Sequence, residues 1–308
     1  MDEKVKYVEK QKDIIEKYIK LIEEECKGHI ITYNLDKKRD NTTLDDVEKY
    51  KDFYNDLDKT CDTDVFKKLC DFIFTVPKTC SIITNLSGDG GSTSFEYNGN
   101  TKEIIGVDHI DLPPFIRPSL DFIYLHEAVH GLFWEERKGK KFIDYVDVEV
   151  LPYFFMLYAL KNLYKNYDEE TINSILGRFI VNAYSSAQSI SEGFENRFVH
   201  YSDKDLKEKF YFEKYQYQDI REKKNEIYMD YKQFLGPIKA IILYNYCICE
   251  DISFETVLNS VLDSEKTIGT ELDYSYLDIE KEENFETYKS FVKKHKKVLP
   301  VKKKKTNE

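Results

Sequence analysis

The sequence predicts an α+β protein, mostly helical, on three observations. Apolar residues recur at helical spacing over most of the chain, and one stretch, Thr79 to Asp111, is strand-like. The helix that follows this stretch is apolar nearly all round.

The helical pattern starts at once. Residues 3–26 set Val5, Ile14, Ile15, Tyr18, Ile19 and Ile22 on a charged background, which reads as an amphipathic helix. Residues 44–74 continue in a helical register, and together these make an expected N-terminal helical region, residues 1–78. The strand-like stretch 79–111 contains a hairpin signal: Thr93–Tyr97 and Thr101–Ile110 flank Asn98-Gly99-Asn100, and Asn-Gly suits a tight two-residue turn. Just before it, Ser87-Gly88-Asp89-Gly90-Gly91-Ser92 has the look of a phosphate loop. It lacks the Gly-Lys-Ser/Thr ending and leads into no helix, so it reads as a flexible turn.

Pro113, Pro114 and Pro118 then punctuate the chain, and Ser119 is placed to cap a helix over 120–137, with Gly139 past its end. Further helices are expected over 147–167, 169–200, 203–234, 237–249 and 252–262, with a break at Gly236-Pro237. A main domain is therefore expected over 79–292, with its sheet at 79–111, its central helix at 120–137 and a helical subdomain at 147–292. Residues 293–308 are expected to be a solvated, disordered Lys-rich tail.

Composition bounds the function. In 308 residues, 41% hydrophobic and 33% charged is a globular balance, and the length suffices for a sizeable core. Residues 293–308 carry eight Lys and one Glu, so the rest of a chain of net charge −11 sums to −18. An acidic body argues against nucleic-acid binding. The start of the chain is charged, with no apolar signal region, and the apolar run from Phe234 to Cys249 is too interrupted to span a bilayer, so the cytoplasm is the default expectation. The six Cys show no framework spacing, and the Cys247/Cys249 pair has no second pair beside it, so the thiols are expected to be reduced.

The chemistry lies in His126-Glu127-Ala128-Val129-His130. Two His four residues apart share one helix face, so their imidazoles can converge on one ion, and Glu127 can reach a water there. Phe122, Ile123, Leu125, Val129, Leu132, Phe133 and Trp134 mark the helix as buried. Three ionisable groups inside it are costly unless something satisfies them, and one zinc ion per chain would. A catalytic zinc takes three protein ligands. Candidates for the third are Glu136, His109, His200 and Glu192. Glu136 is disfavoured because Phe133 stands where a chain-reversing Gly would be needed, and the helix carries Glu136 away.

Ser191-Glu192-Gly193-Phe194 resembles the Asn-Glu-Gly-Phe-Ala motif of gluzincins such as the alanyl-type aminopeptidases, and more loosely the catalytic domain of anthrax lethal factor. The resemblance covers about residues 93–201. It implies a zincin-like fold, with a small twisted sheet before a buried active-site helix and a helical subdomain after it. It makes Glu192 the third zinc ligand, with Gly193 letting that helix approach the active-site helix. It also implies a transition-state donor from the helical subdomain, for which Tyr184 is preferred over His200 and Tyr201. Three departures stand out. The spacer from His130 to Glu192 is longer than in the aminopeptidases, Glu195 replaces a small residue, and Asn196 stands where many gluzincins carry Asp.

The implied activity is zinc-dependent hydrolysis of a peptide or protein substrate, with Glu127 taking the proton of the attacking water. The strand Ile104–Ile110 is expected to be the sheet edge that binds substrate, and His109 on it to be structural. The Gly-x-Met-Glu-Asn strand of the aminopeptidases is missing, so endopeptidase action is favoured. The competing readings are a catalytically silent zincin scaffold and a narrow-specificity effector or toxin-type protease.

Overall fold

A computed structural model describes residues 3–31, 40–43, 71–72, 81–84, 91–112, 115–116, 120–163, 167–195, 214–249 and 277–301. The chain is α+β and mostly helical, as the periodicity implies. Its helices are α1 (Glu3–Lys10), α2 (Lys12–Glu25), α3 (Leu120–Glu135), α4 (Val150–Leu163), α5 (Glu169–Glu195), α6 (Lys214–Cys249) and α7 (Glu282–His295). Strands β1 (Asp40–Thr43) and β5 (Phe115–Ile116) pair antiparallel, while β2 (Ser81–Thr84), β4 (Ile104–Leu112) and β3 (Ser92–Tyr97) form a mixed three-stranded sheet in that order.

The hairpin β3–β4 forms where the alternation places it, but not through a two-residue turn. Asn98 starts the reversal: its side-chain oxygen accepts from the backbone N–H groups of Asn100 and Thr101, at 2.9 and 3.2 Å. Lys102, not Gly99, takes the left-handed conformation, at φ 62°. The Asn side chain thus does locally what Asn-Gly was expected to do through its backbone. In the sheet β4 is central, paired on both sides, and β2 and β3 are its edges among the described residues. This corrects the expectation that β4 would offer the free edge.

The buried helix α3 packs on this sheet. Phe122, Leu125, Ala128, Val129, Leu132, Phe133 and Trp134 are all buried, and the Glu135 carboxylate accepts from the backbone N–H of Val107 in β4 at 2.8 Å. Past the helix end, Gly139 adopts φ 78° and donates its N–H to Ile104. Helix α4 is likewise buried along almost its whole length and lies between α3 and α6.

The expected break at Gly236-Pro237 does not occur, and α6 runs through both residues. Proline in a helix interior costs about 3 kcal/mol. Burial of Phe234, Leu235, Ile238, Ile241, Ile242 and Leu243 around it, each contributing roughly 1.5–3 kcal/mol, outweighs that cost.

The N-terminal helices share this core. Buried Tyr18 of α2 donates its hydroxyl to the Ile279 carbonyl oxygen at 3.1 Å and sits among the rings of Phe234, Phe285 and Tyr288. Part of the supposed tail is also structured. Residues 293–295 end α7, a 3-10 turn covers 296–298, Leu299 is buried, and Val301 pairs with His29. Buried Val292 and Leu299 flank the lysines and supply the docking contacts, while Val301, exposed, takes part through its backbone bridge to His29. The expected helices 44–74 and 252–262 and the cap Ser119 lie almost wholly outside the described residues. Of the cysteines, Cys26 is buried and Cys247 half-buried, both as free thiols. No helix among the described residues is long and apolar enough to cross a membrane.

His295, on the last turn of α7, packs on Phe291 with ring centroids 4.6 Å apart. Burial, with Lys294 and Lys297 alongside, pushes its imidazole down to about 4 from an ordinary 6.5. The unfolded chain therefore binds a proton that the folded chain refuses between those values. Its contribution to stability is complete above pH 6.5 and shrinks as the pH falls toward 4. Urea midpoints measured from pH 7 down to 5 should fall less steeply for His295→Gln than for the wild type.

Candidate metal centre

The site begins with helix geometry. His126 and His130 are one turn apart on α3, and their rings lie 5.0 Å centroid to centroid. Facing them is Glu149, in the turn that leads into α4. Its Oε2 is 3.1 Å from His126 Nε2 and 3.3 Å from His130 Nε2. One donor atom from each of the three residues lies within 4.8 Å of the other two, so the group could hold a metal ion. Tyr153, one turn into α4, packs edge-on against His126 at 4.9 Å.

Glu127 is 5% exposed and faces the sheet. The Thr93 hydroxyl of β3 lies 2.8 Å from the Glu127 carbonyl oxygen and 2.9 Å from its Oε2, and can donate to either. Burial pushes the Glu127 carboxyl up, tempered by the charges of His126 and His130. Glu149 behaves in the opposite way. Burial works against its charge, but the His130 charge and the bonds from both imidazoles outweigh it and hold the carboxyl well below the usual range. For His130 burial favours the neutral ring, yet the charge and hydrogen bond of Glu149 prevail and raise its proton affinity. Two neighbouring glutamates are thus driven apart: one keeps its charge and the other holds a proton more readily.

An ionised carboxylate this deeply buried requires positive charge beside it. Two imidazoles with one carboxylate are also a donor set that suits a catalytic transition metal. The residues therefore fit a divalent ion.

The position of Glu149 is set from α6. Lys232, Gly236 and Lys239 follow at helical spacing on one face of α6. Lys232 donates to Asp144, Lys239 donates to Asp147 at 2.7 Å, and Gly236 sits against Glu149. A Cβ at Gly236 would come 2.6 Å from the Glu149 Cβ and 2.9 Å from Tyr153 Cδ2. The Gly of the Gly-Pro pair is therefore a notch that seats the start of α4, not a break in the helix.

The four residues open on a cavity of about 540 Å³. One part of its wall is the aromatic group Phe95, Trp134 and Phe142, with Phe95 stacked on Trp134 at 4.1 Å. Another part is Lys4, Asp144, Tyr228 and Lys232. A smaller space of about 130 Å³, lined in part by Arg178 and Asn182, shares His126 and Glu127 with it.

The structure thus brings together His126, Glu127 and His130, but neither of the other two expected site residues. Glu192 is exposed near the end of α5, and the carboxylate beside the imidazoles is Glu149. Gly193 does permit a close approach, but to α6: a Cβ there would come 2.8 Å from Ile227 Cγ1. Tyr184 lines neither cavity. Its hydroxyl donates to Glu23 of α2 at 2.8 Å and accepts from Gln188 at 2.6 Å, and burial with the Glu23 contact pushes it up to about 12. Glu136 is exposed, and His109 pairs with Asp108 and Asp111 on β4, away from the site. Asn196, His200 and Tyr201 lie outside the described residues.

Glu149 carried a signal. In Val146-Asp147-Val148-Glu149-Val150-Leu151 it is a carboxylate at the edge of a helix whose first eleven residues carry no charge, as anomalous as the imidazoles of α3. Only residues 131–148 separate it from His130.

No protein-family model and no curated protein matches the sequence. Among solved structures the chain is similar to the crystal structure of a "putative peptidase from Chlamydophila abortus", with 16% identity and a TM-score of 0.46, over 96% of this chain and 54% of that one. The chain spans about half the length of that protein.

Gly236→Ala should displace Glu149 and weaken metal affinity about 10–100-fold, as changes just outside a ligand set do. Overpacking adds about 1–3 kcal/mol of destabilisation. Gly99→Ala, where a Cβ would meet nothing within 4 Å, is the control. Equal metal affinity in the two variants would refute the role given to Gly236.

Proposed function

We propose that this protein is a zinc-dependent peptidase of gluzincin type, with one zinc per chain held by His126, His130 and Glu149. The observation that carries the reading is the convergence of those three donors beside a buried glutamate, on a cavity large enough for a side chain. When bound, zinc supplies a Lewis acid that acidifies water and polarises a carbonyl.

The chain supplies the rest. Glu127 takes the proton from the attacking water, and its raised proton affinity suits it to pass that proton to the leaving amine. Thr93 fixes the direction of the carboxylate. The outer edge of β3 lies beside Glu127, is paired with no other strand among the described residues, and could take a substrate as an added strand. Tyr184 is tied to α2 and plays no part, whereas Tyr145 and Tyr228 line the cavity. Endopeptidase action is favoured because the aminopeptidase strand motif is missing.

Elemental analysis of purified protein should find about one zinc per chain. Glu149→Ala should lose it, and Glu192→Ala should keep it; the opposite pattern would restore the ligand set implied by the family motif. In a peptide-library cleavage assay Glu127→Gln should lower kcat by at least about 100-fold at unchanged zinc content. Cleavage that survives this change would sink the mechanism. Chelation should abolish activity while leaving the helical circular dichroism intact.

A further inference from the structure

We propose that Lys232, together with Lys4 and Asp144, forms a subsite for a carboxylate of the substrate, at its C-terminus or on an aspartate or glutamate side chain. This rests on the reading of the adjoining His126–His130–Glu149 group as a peptidase centre, because both line one cavity.

Lysine is seldom buried, yet only 6% of the Lys232 side chain is exposed. Its ammonium donates to Asp144 Oδ1 and lies 4.9 Å from the centre of the Tyr228 ring. Lys4 of α1 donates to the other oxygen, Asp144 Oδ2, and lies 4.7 Å from the same ring. Burial opposes the charge of Asp144, but the bonds from Lys232 and Lys4 outweigh it, so the carboxyl stays ionised. Asp144 thus bridges two ammonium groups on the same stretch of wall.

As a strut alone this arrangement is poor. A buried ion pair contributes little net stability compared with apolar residues of the same size. An ammonium on this cavity wall would be repelled by a dication held at His126, His130 and Glu149, and an anion lodged between the two would relieve the repulsion. Lys232 carries three N–H donors and Asp144 takes one, which leaves it able to bind a second oxygen. The cluster also has a direction. Lys4 has 48% of its side chain exposed against 6% for Lys232, so an entering carboxylate meets Lys4 first and Lys232 last. With a net charge of −11 the chain as a whole repels anions, so this local attraction would discriminate among substrates.

The test is calorimetric binding of short blocked peptides to the full chain, zinc-loaded and chelator-stripped. The probes share a Phe-Ala core and differ in one group. One pair compares a C-terminal carboxylate with a C-terminal amide, and the other compares an internal Glu with Gln. In at least one pair the carboxylate should bind about tenfold more tightly in both metal states, and the pair that shows it identifies the source. Lys232→Met should erase that ratio, while Lys232→Arg should keep it. Three results would overturn the proposal: no ratio in the wild type, a ratio lost on stripping the metal alone, or Lys232→Met weakening both members of a pair equally. If Lys232→Met does not fold, Lys4→Met, at a half-exposed position, must lower the ratio. Binding is read without turnover, so a lack of peptidase activity would refute the enzyme reading by itself and leave this ratio to be judged alone.

Discussion

One buried negative charge governs the architecture around the site. Glu149 is 5% exposed, and its carboxylate stands between two imidazoles. A charge so placed is tolerated only if its surroundings are fixed to within a fraction of an ångström. The imidazoles are fixed by α3, whose apolar surface is buried on all sides and whose far end is bonded to β4 through Glu135. The carboxylate is fixed by the segment 144–149, which belongs to no helix or strand and would wander without support.

That support is a single face of α6. Lys232, Gly236 and Lys239 meet Asp144, Glu149 and Asp147, so two ion pairs and one missing side chain define the path into α4. The same face continues toward Tyr228 and Met229 on the cavity wall. The placing of the Glu149 carboxylate and the shape of the cavity therefore depend on the same helix. The N-terminal helices take part too: Lys4 reaches the cavity wall, and Tyr18 ties α2 to the segment before α7.

How much of this the sequence revealed follows from distance along the chain. His126, Glu127 and His130 were legible because helical spacing alone brings them together. The hairpin was legible from alternation, but its turn was not, because the Asn98 side chain and the strained Lys102 replace the Asn-Gly backbone. Glu149 is aligned by residues some ninety positions further on, and no local pattern carries that information. Glu192 stands exposed and apart from the imidazoles, and the glycine beside it serves the packing of α5 on Ile227 of α6. Gly236-Pro237 misled for a related reason, since the penalty of proline is local while the benefit of the glycine lies in a distant contact.

The continuity of α6 has a consequence for how this protein can change over time. Every residue added to a helix turns all that follows by about 100° about its axis. An insertion or deletion between Asn225 and Lys239 would swing one part of the gripping face away from its partners while the other stayed in place. Substitutions on that face can be absorbed one contact at a time, but its length cannot drift. Among relatives of this chain, gaps in alignment should gather in the connections between helices and avoid this stretch.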